Sequence, residues 1–323
     1  MIEWLKKYLH LNMAAQGIVG INKRNISYIL AHNERKFYPL VDNKILTKEL
    51  AEKASIPTPK LLGKIEYHSQ IYSTLQNIDC EKGFVIKPAQ GSGGGGIMVI
   101  TRKEGDNFFK AEGNPIDIKE MHYYVSNVLA GLYSLGGIRD TAMIEERIIC
   151  HNMFDKIAYK GVPDLRIILF HGYPIMAMLR LPTRQSDGKA NLHSGGLGVG
   201  LDIATGKTTY AMQDGQYITH HPDYDTELSA LKIPNWRQTL EIIAGFRDII
   251  PLKYLGIDMV VDQEKGASLL EANARPGIAI QIANKCGLEP RLKMISKLVE
   301  NGYIHNTPEE RVEFVMASLE ANQ

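Results

Sequence analysis

Cysteine and tryptophan are scarce in this chain, with three and two copies respectively in 323 residues. Cys80, Cys150 and Cys286 are odd in number and far apart. They exclude a disulfide framework and suit unpaired thiols in a reducing cytoplasm, and nothing around them marks a nucleophile. Charge of one sign is missing too: 37 Lys and Arg stand against 36 Asp and Glu, so no electrostatic pull toward nucleic acid or an acidic polymer is expected. No apolar run is long enough to span a bilayer, and no signal-peptide pattern opens the chain. Repeats, low-complexity tracts and charge blocks are absent as well. What remains is a chain expected in the cytoplasm and long enough for a two-lobed α/β structure with a sizeable core.

Chemistry is concentrated in Glu271-Ala272-Asn273-Ala274-Arg275-Pro276-Gly277, behind the apolar run Ala267 to Leu270. Alternate side chains of a strand share a face, so Glu271, Asn273 and Arg275 are expected to point into one cavity before Pro276-Gly277 ends the strand. Carboxylate and carboxamide oxygens together with nucleotide phosphates suit a hard cation such as magnesium, and an Arg fork suits a phosphate. Upstream, Gly256-Ile257-Asp258-Met259-Val260-Val261 is a second β-branched run, and Asp262 to Gly266 reads as the turn joining the two in a hairpin. Asp258 and Glu271 then sit on adjacent strands, able to bridge two metal ions. An isolated Glu on an apolar strand is costly to bury without such a partner.

A second feature is Phe84-Val85-Ile86-Lys87-Pro88, a strand running into Ala89-Gln90-Gly91-Ser92-Gly93-Gly94-Gly95-Gly96 and then a strand from Ile97 to Thr101. Glycines let backbone amides approach phosphate oxygens closely. This is not a P-loop, because the Lys precedes the glycines and a strand, not a helix, follows them.

With these residues in this order the chain resembles the ATP-grasp superfamily over about Asp42 to Leu298, and within it the RimK-like glutamate ligases. Asp42-Asn43-Lys44, Leu46-Thr47-Lys48 and Ala54-Ser55-Ile56-Pro57-Thr58-Pro59 look like the segment carrying that family's first nucleotide lysine. Val85-Ile86-Lys87-Pro88 with Gly91-Ser92-Gly93 looks like the second lysine and the phosphate-covering loop. Met143-Ile144-Glu145-Glu146-Arg147-Ile148 matches the hinge strand that holds adenine through a Glu and neighbouring backbone groups. Asp164-Leu165-Arg166 and Asn191-Leu192-His193-Ser194-Gly195-Gly196 match two further segments, and Asp258, Glu271 and Asn273 match the magnesium ligands.

The resemblance implies an α/β (α+β) ATP-grasp fold with ATP between two lobes. It implies ATP and two magnesium ions, with manganese as a substitute, as cofactors. Lys44, Lys87, Gly91, Ser92, Gly93, Glu145, Glu146, Ile148, Asp164 and Asn191 become the nucleotide set, and Asp164 accepts from the ribose or orients Arg166. Arg166 and Arg275 become the groups that stabilise a transferred phosphoryl, with Arg180 a weaker candidate. His193 is the natural suspect for a general base, although a histidine beside glycines more often organises its loop. The implied reaction is ATP-dependent carboxylate–amine ligation through an acyl phosphate, adding glutamate or another amino acid to a peptide, protein tail or amino sugar. An ATP-grasp kinase acting on a hydroxyl uses the same nucleotide and metal residues.

Two departures stand out. Only Met1 to Val41 precedes Lys44, so the usual preceding domain is expected to be missing or replaced by a helical cap. It is read as an amphipathic helix with Ile2, Leu5, Tyr8 and Leu9 on one face, then a helix over Asn25 to Glu34. From Leu201 to Pro251 an insertion reads as a hairpin at Asp202 to Lys207, a turn at His221-Pro222-Asp223 and a helix from Trp236 to about Asp248. That pattern is similar to ATP-grasp proteins associated with sugar transfer. The expected organisation is a cap over 1–41, a first lobe over 42–146, a second lobe over 147–305 and a closing helix over 306–323, the last a dimer element or a packed tail.

Overall fold

The computed structural model describes residues 15–320 apart from positions 79, 80, 92, 112, 114 and 230. The expected helix around Ile2 to Leu9 lies outside the described residues, as do Cys80 and Ser92. Among the described residues no helix is long and apolar enough to cross a membrane.

Chain direction sets up two sheets in turn. After helix α1 (Lys44–Lys53) come β1 (Leu61–Ile65), helix α2 (Ile71–Asn77), β2 (Phe84–Pro88) and β3 (Met98–Ile100). Short strands β4 (Arg102–Glu104), β5 (Asn107–Phe109) and β6 (Ile116–Asp117) form their own small sheet before helix α3 (Ile118–Leu129) and β7 (Ala142–Glu146). The first main sheet has the order β1-β7-β2-β3, every pair antiparallel. Its core is Phe84, Ile86, Ile144 and the buried stripe Met121, Val125, Val128 and Leu129 of α3, the i, i+4, i+7, i+8 spacing of one helical face. Asp117 starts α3 with a capping box, accepting from Lys119 and Glu120 N–H while Glu120 reaches back to the Asp117 N–H, which satisfies end amides the helix itself cannot.

The second sheet is built from β8 (Asp164–Phe170), β9 (Tyr173–Leu181), β10 (Leu197–Leu201), β11 (Thr208–Gln213), β12 (Gln216–Ile218), β13 (Tyr254–Asp262) and β14 (Gly266–Asn273), in the order β12-β11-β10-β9-β8-β13-β14. Every residue of β8 is buried, as expected of a strand covered on both faces. Helices α4 (Trp236–Ala244), α5 (Glu289–Glu300) and α6 (Pro308–Glu320) complete the chain. The closing helix α6 is packed onto α4 and β9 through Val312, Val315 and the Phe314 ring against Tyr173.

The hairpin read from the sequence is present, with one addition. Asp258 pairs directly with Glu271, but Met259 pairs with Leu269, so Leu270 is an extra residue. Such a bulge reverses the in–out parity of a strand. Leu269 points into the core before it, Ala272 and Ala274 do so after it, and Glu271 and Asn273 are thereby turned to the cleft.

The second N-terminal helix differs from expectation. It begins at Ile21, and Arg24–Leu30 winds as a π-helix. Arg24 donates to the Pro276 carbonyl at 2.6 Å, and the Asn33 carboxamide bonds the Tyr254 carbonyl and the Lys253 and Tyr254 amides. The wider winding runs between these two anchors. Buried Gln281 ties this segment further to the turn beyond β14, bonding both the amide and the carbonyl of Val19.

Candidate active site

Three lysines and one glutamate form the first half of the site. Asn43 caps α1 by accepting from the Ile45 and Leu46 amides, placing Lys44 in the first turn and Lys48 one turn on, along the same face. Lys87 comes from β2 and Glu145 from the adjacent β7. Glu145 is 3% exposed and receives Lys48 and Lys87, each at 2.5 Å. Burial opposes its charge, but the two ammonium groups prevail and hold its carboxyl below the ordinary range, the expected outcome for a carboxylate between cations. Burial lowers the Lys44 ammonium, with Glu271 opposing and Lys87 adding to the fall.

Lys44 also fastens the glycine loop. Its backbone N–H donates to the Ala89 carbonyl and its ammonium to the Gly91 carbonyl at 2.5 Å. Asp140 supports the same root by accepting from the Gln90 and Thr141 amides and the Ser134 hydroxyl. At the far end Tyr124 donates to the Gly96 carbonyl, and a Cβ on Gly96 would lie 2.4 Å from the Tyr133 ring. Gly93 and Gly94 between them have positive φ and open space around them, the backbone freedom that close approach to a phosphate requires.

The second half is a row across the large sheet. Arg166 on β8 stands opposite Asp258 on β13, which stands opposite Glu271 on β14. Directly paired residues share a face. Asp258 is fully buried, and both its oxygens accept from guanidinium groups, one from Arg166 Nε and the other from Arg166 Nη2 and Arg180 Nη2, the last two at 2.6 Å. Arg180 also holds Asp164 at 2.5 Å. Burial pushes Asp164 up from the usual carboxylate range. Burial acts on Asp258 in the same sense, but Arg166 and Arg180 outweigh it and keep that carboxyl low. Arg180 is therefore the bridge between both acids, more central than its sequence context suggests, and Asp164 orients Arg180, not Arg166.

The two halves meet at Lys44, whose ammonium is 3.8 Å from the Glu271 carboxylate. Asn273 donates to the other Glu271 oxygen at 3.2 Å, so the Glu271–Asn273 pair read from the sequence does share a face. Asp258 and Glu271 stand directly opposite one another on β13 and β14. Two carboxylates in that relation suit a proton or a cation between them, and Asp258 Oδ1, with a single Arg contact, keeps a further lone pair, whereas Oδ2 spends both of its own on Arg166 and Arg180. This donor set fits a hard cation. Among the described residues no group of three or more His, Cys, Asp and Glu side chains is placed to hold a metal. Magnesium itself takes one or two carboxylates and completes its shell with water and phosphate oxygens.

Other expected site residues lie apart. Arg275 is exposed beyond the end of β14, 5.0 Å over the Tyr38 ring, and does not join the row. The strand ends at Asn273 and its alternation ends with it. Glu146 faces away from Glu145, accepting from the Lys60 N–H and pairing with Lys265. Ile148 follows in the half-buried connection to the second sheet. Asn191 spends its carboxamide oxygen on the His193 N–H, capping its own turn, and the His193 side chain is exposed. Lys48 and Asp140 were not singled out from sequence. The spacing of Lys48, four residues after Lys44 on a capped helix, was the available signal.

The sequence matches the sugar-transfer associated ATP-grasp family over residues 23–297. Among solved structures the chain is similar to a RiPP-associated ATP-grasp ligase of Chryseobacterium gregarium in complex with ADP and a leader and core peptide, at 14% identity and a TM-score of 0.45, covering 86% of this chain and 65% of that one. It is also similar to the ATP-grasp ligase PsnB complexed with a minimal precursor, at 12% identity and 0.43, covering 83% and 63%. A third is D-alanine–D-alanine ligase from Helicobacter pylori, at 15% identity and 0.42, covering 80% and 61%. The chain thus spans less than two thirds of the length of each. No curated protein sequence matches it.

Proposed function

Because the chain belongs to the sugar-transfer associated ATP-grasp family, we propose that it activates a carboxylate with ATP as an acyl phosphate and passes the acyl group to an amine, forming an amide and releasing ADP and phosphate. The observation that carries this reading is the 3.8 Å approach of Lys44 to Glu271. It brings the lysine cluster of α1 and β2 against the carboxylate pair of the large sheet, beside the root of the glycine loop at Gly91.

In this reading the nucleotide lies between the sheets. Lys44 and Lys87 neutralise phosphate oxygens, and the loop amides close over them. Asp258, Glu271 and Asn273 would hold magnesium, which would supply charge neutralisation for the phosphates. Arg166 and Arg180, fixed in place by Asp258 and Asp164, present guanidinium groups to the phosphoryl in transit. Their rigidity matters because such transfers depend on positioning more than on covalent chemistry. Glutamate or another amino acid joined to a peptide, protein tail or amino sugar is the substrate class.

The test is ATP consumption with magnesium against paired carboxylates and amines, with products identified by mass. ADP together with an adduct one water lighter than its two parts supports the ligase. A stable phosphorylated product would replace it with a kinase.

A further inference from the structure

Outside the nucleotide cleft, a cavity of about 260 Å³ lies at the β12–β11 edge of the large sheet. It is lined by Tyr210, Tyr217, Thr209, Thr219, Ser229 and Lys285 among others. Tyr210 and Tyr217 are 46% and 48% exposed, their rings set at 68° with centroids 6.4 Å apart. The Lys285 ammonium sits over both, 3.9 Å from one centroid and 4.1 Å from the other.

Three observations set this cluster apart from an ordinary surface. Among the described residues no carboxylate lines the cavity or pairs with Lys285, so its charge is balanced only by ring faces. Lys285 also has φ of +49°, a left-handed backbone that costs a side-chain-bearing residue energy and that glycine takes more cheaply. Finally, register places the cavity on the catalytic face. Tyr217 pairs with Met212, Met212 with Gly198, Gly198 with Arg180 and Arg180 with Asp164. Tyr217 and Arg180 therefore point to the same side, three strands or about 14 Å apart.

We propose that this cavity is a binding site for one residue of an acidic saccharide chain. Half-exposed phenol rings offer apolar faces to a sugar ring, and the Tyr217 ring is held in place by its hydroxyl, which donates to the Ile282 carbonyl at 2.9 Å. Thr209, Thr219 and Ser229 bring hydroxyls able to donate and accept, and Lys285 is the unmatched cation for a carboxylate on the ring. A peptide is the poorer match. The neighbouring edge strand β12 has only three residues, too short a ladder for an added strand. The separation from Arg180 suits an oligomer that binds here while a distant unit reaches the cleft. That this occupant is the acceptor rests on the ligase reading; that the cavity binds it does not.

Calorimetry and ligand-observed NMR on the full chain, with a trimer of uronic acid residues, a neutral glucose trimer and a tri-glutamate peptide, test this directly. The uronic trimer is expected to bind tightest, and Tyr210→Ala and Lys285→Gly are each expected to weaken it about tenfold. Lys285→Gly suits its left-handed position, so a folding defect cannot mimic the result, and ADP affinity in both variants should match the parent. Preference for the peptide, absence of saccharide binding, or indifference to both substitutions would overturn the proposal. Saccharide binding without any ATP-driven amide leaves the site standing and removes the ligase reading. Amide formation with no saccharide bound removes the site alone.

Discussion

Replacing Glu145 by Gln strips the only carboxylate from between Lys48 and Lys87, whose side chains are 6% and 7% exposed. Taking one partner from a buried ion pair costs about 3–5 kcal/mol because the other charge is left without compensation. Here the lysines can shed part of that cost by losing a proton, since burial already lowers the Lys48 ammonium, so the lower end, about 3 kcal/mol, applies. At roughly 1.5–2 °C per kcal/mol for a chain of this size, the melting temperature should fall by about 4–6 °C. The pH dependence carries the sign of the mechanism. A carboxyl held low in the folded state contributes stability above its ordinary value near pH 4.5 and loses it as pH falls through the depressed one. Parent and Glu145→Gln should therefore differ between pH 6 and 8, by less toward alkaline pH as a lysine sheds its proton, and converge in acid. Urea denaturation across that range measures both. Glu146→Gln is the control, because its partner Lys265 is 38% exposed and such pairs contribute about 0–1 kcal/mol. A Glu145→Gln deficit below about 1 kcal/mol, or one that persists undiminished in acid, would refute the claim that this carboxylate holds the lysine cluster together.

Glu271→Gln should leave the melting temperature within about 2 °C of the parent, since its side chain is 30% exposed, yet abolish magnesium-dependent ADP release; retained turnover would remove the metal assignment. Deleting Leu270 removes the bulge and turns Glu271 and Asn273 toward the core, so the product should fail to fold or lose magnesium-dependent activity, whereas Leu270→Ala keeps the bulge and should cost less than about 3 kcal/mol. Burial, then His32, Lys253 and Arg247, push His171 down to about 4, and burial lowers His32. Both are held neutral, so stability is full above pH 6.5 and is lost as pH falls toward 4, by about 1–2 kcal/mol after solvent screening; an acid titration that is no flatter in His171→Gln would contradict this.

What the sequence revealed was chiefly local. The β13–β14 hairpin, the strand–glycine–strand unit around Gly91, the turn at His221-Pro222-Asp223 and the helix beginning at Trp236 were readable because turn residues and alternation are written along the chain. Choices made between strands were not. Leu270 is an extra residue only in relation to β13, and whether Arg166 or Arg180 meets Asp164 depends on side-chain directions across three strands. Arg275 follows the alternation of Glu271 and Asn273 on paper, but the strand is over before it is reached. Tyr217 and Lys285 stand far apart in sequence and meet only once the sheet is assembled.

Lys44 has one ammonium and, in this structure, spends it on the Gly91 carbonyl beside Glu271. In the proposed reaction a phosphate needs that same group. Nucleotide loading is then an exchange of partners: the charge that greets the ligand is also the clasp of the strap above it. Tyr124 and Tyr133 keep the other end fastened at Gly96, and a phosphate that takes Lys44 removes one tie at Gly91 while those of Asp140 to Gln90 and Ser134 stay in place.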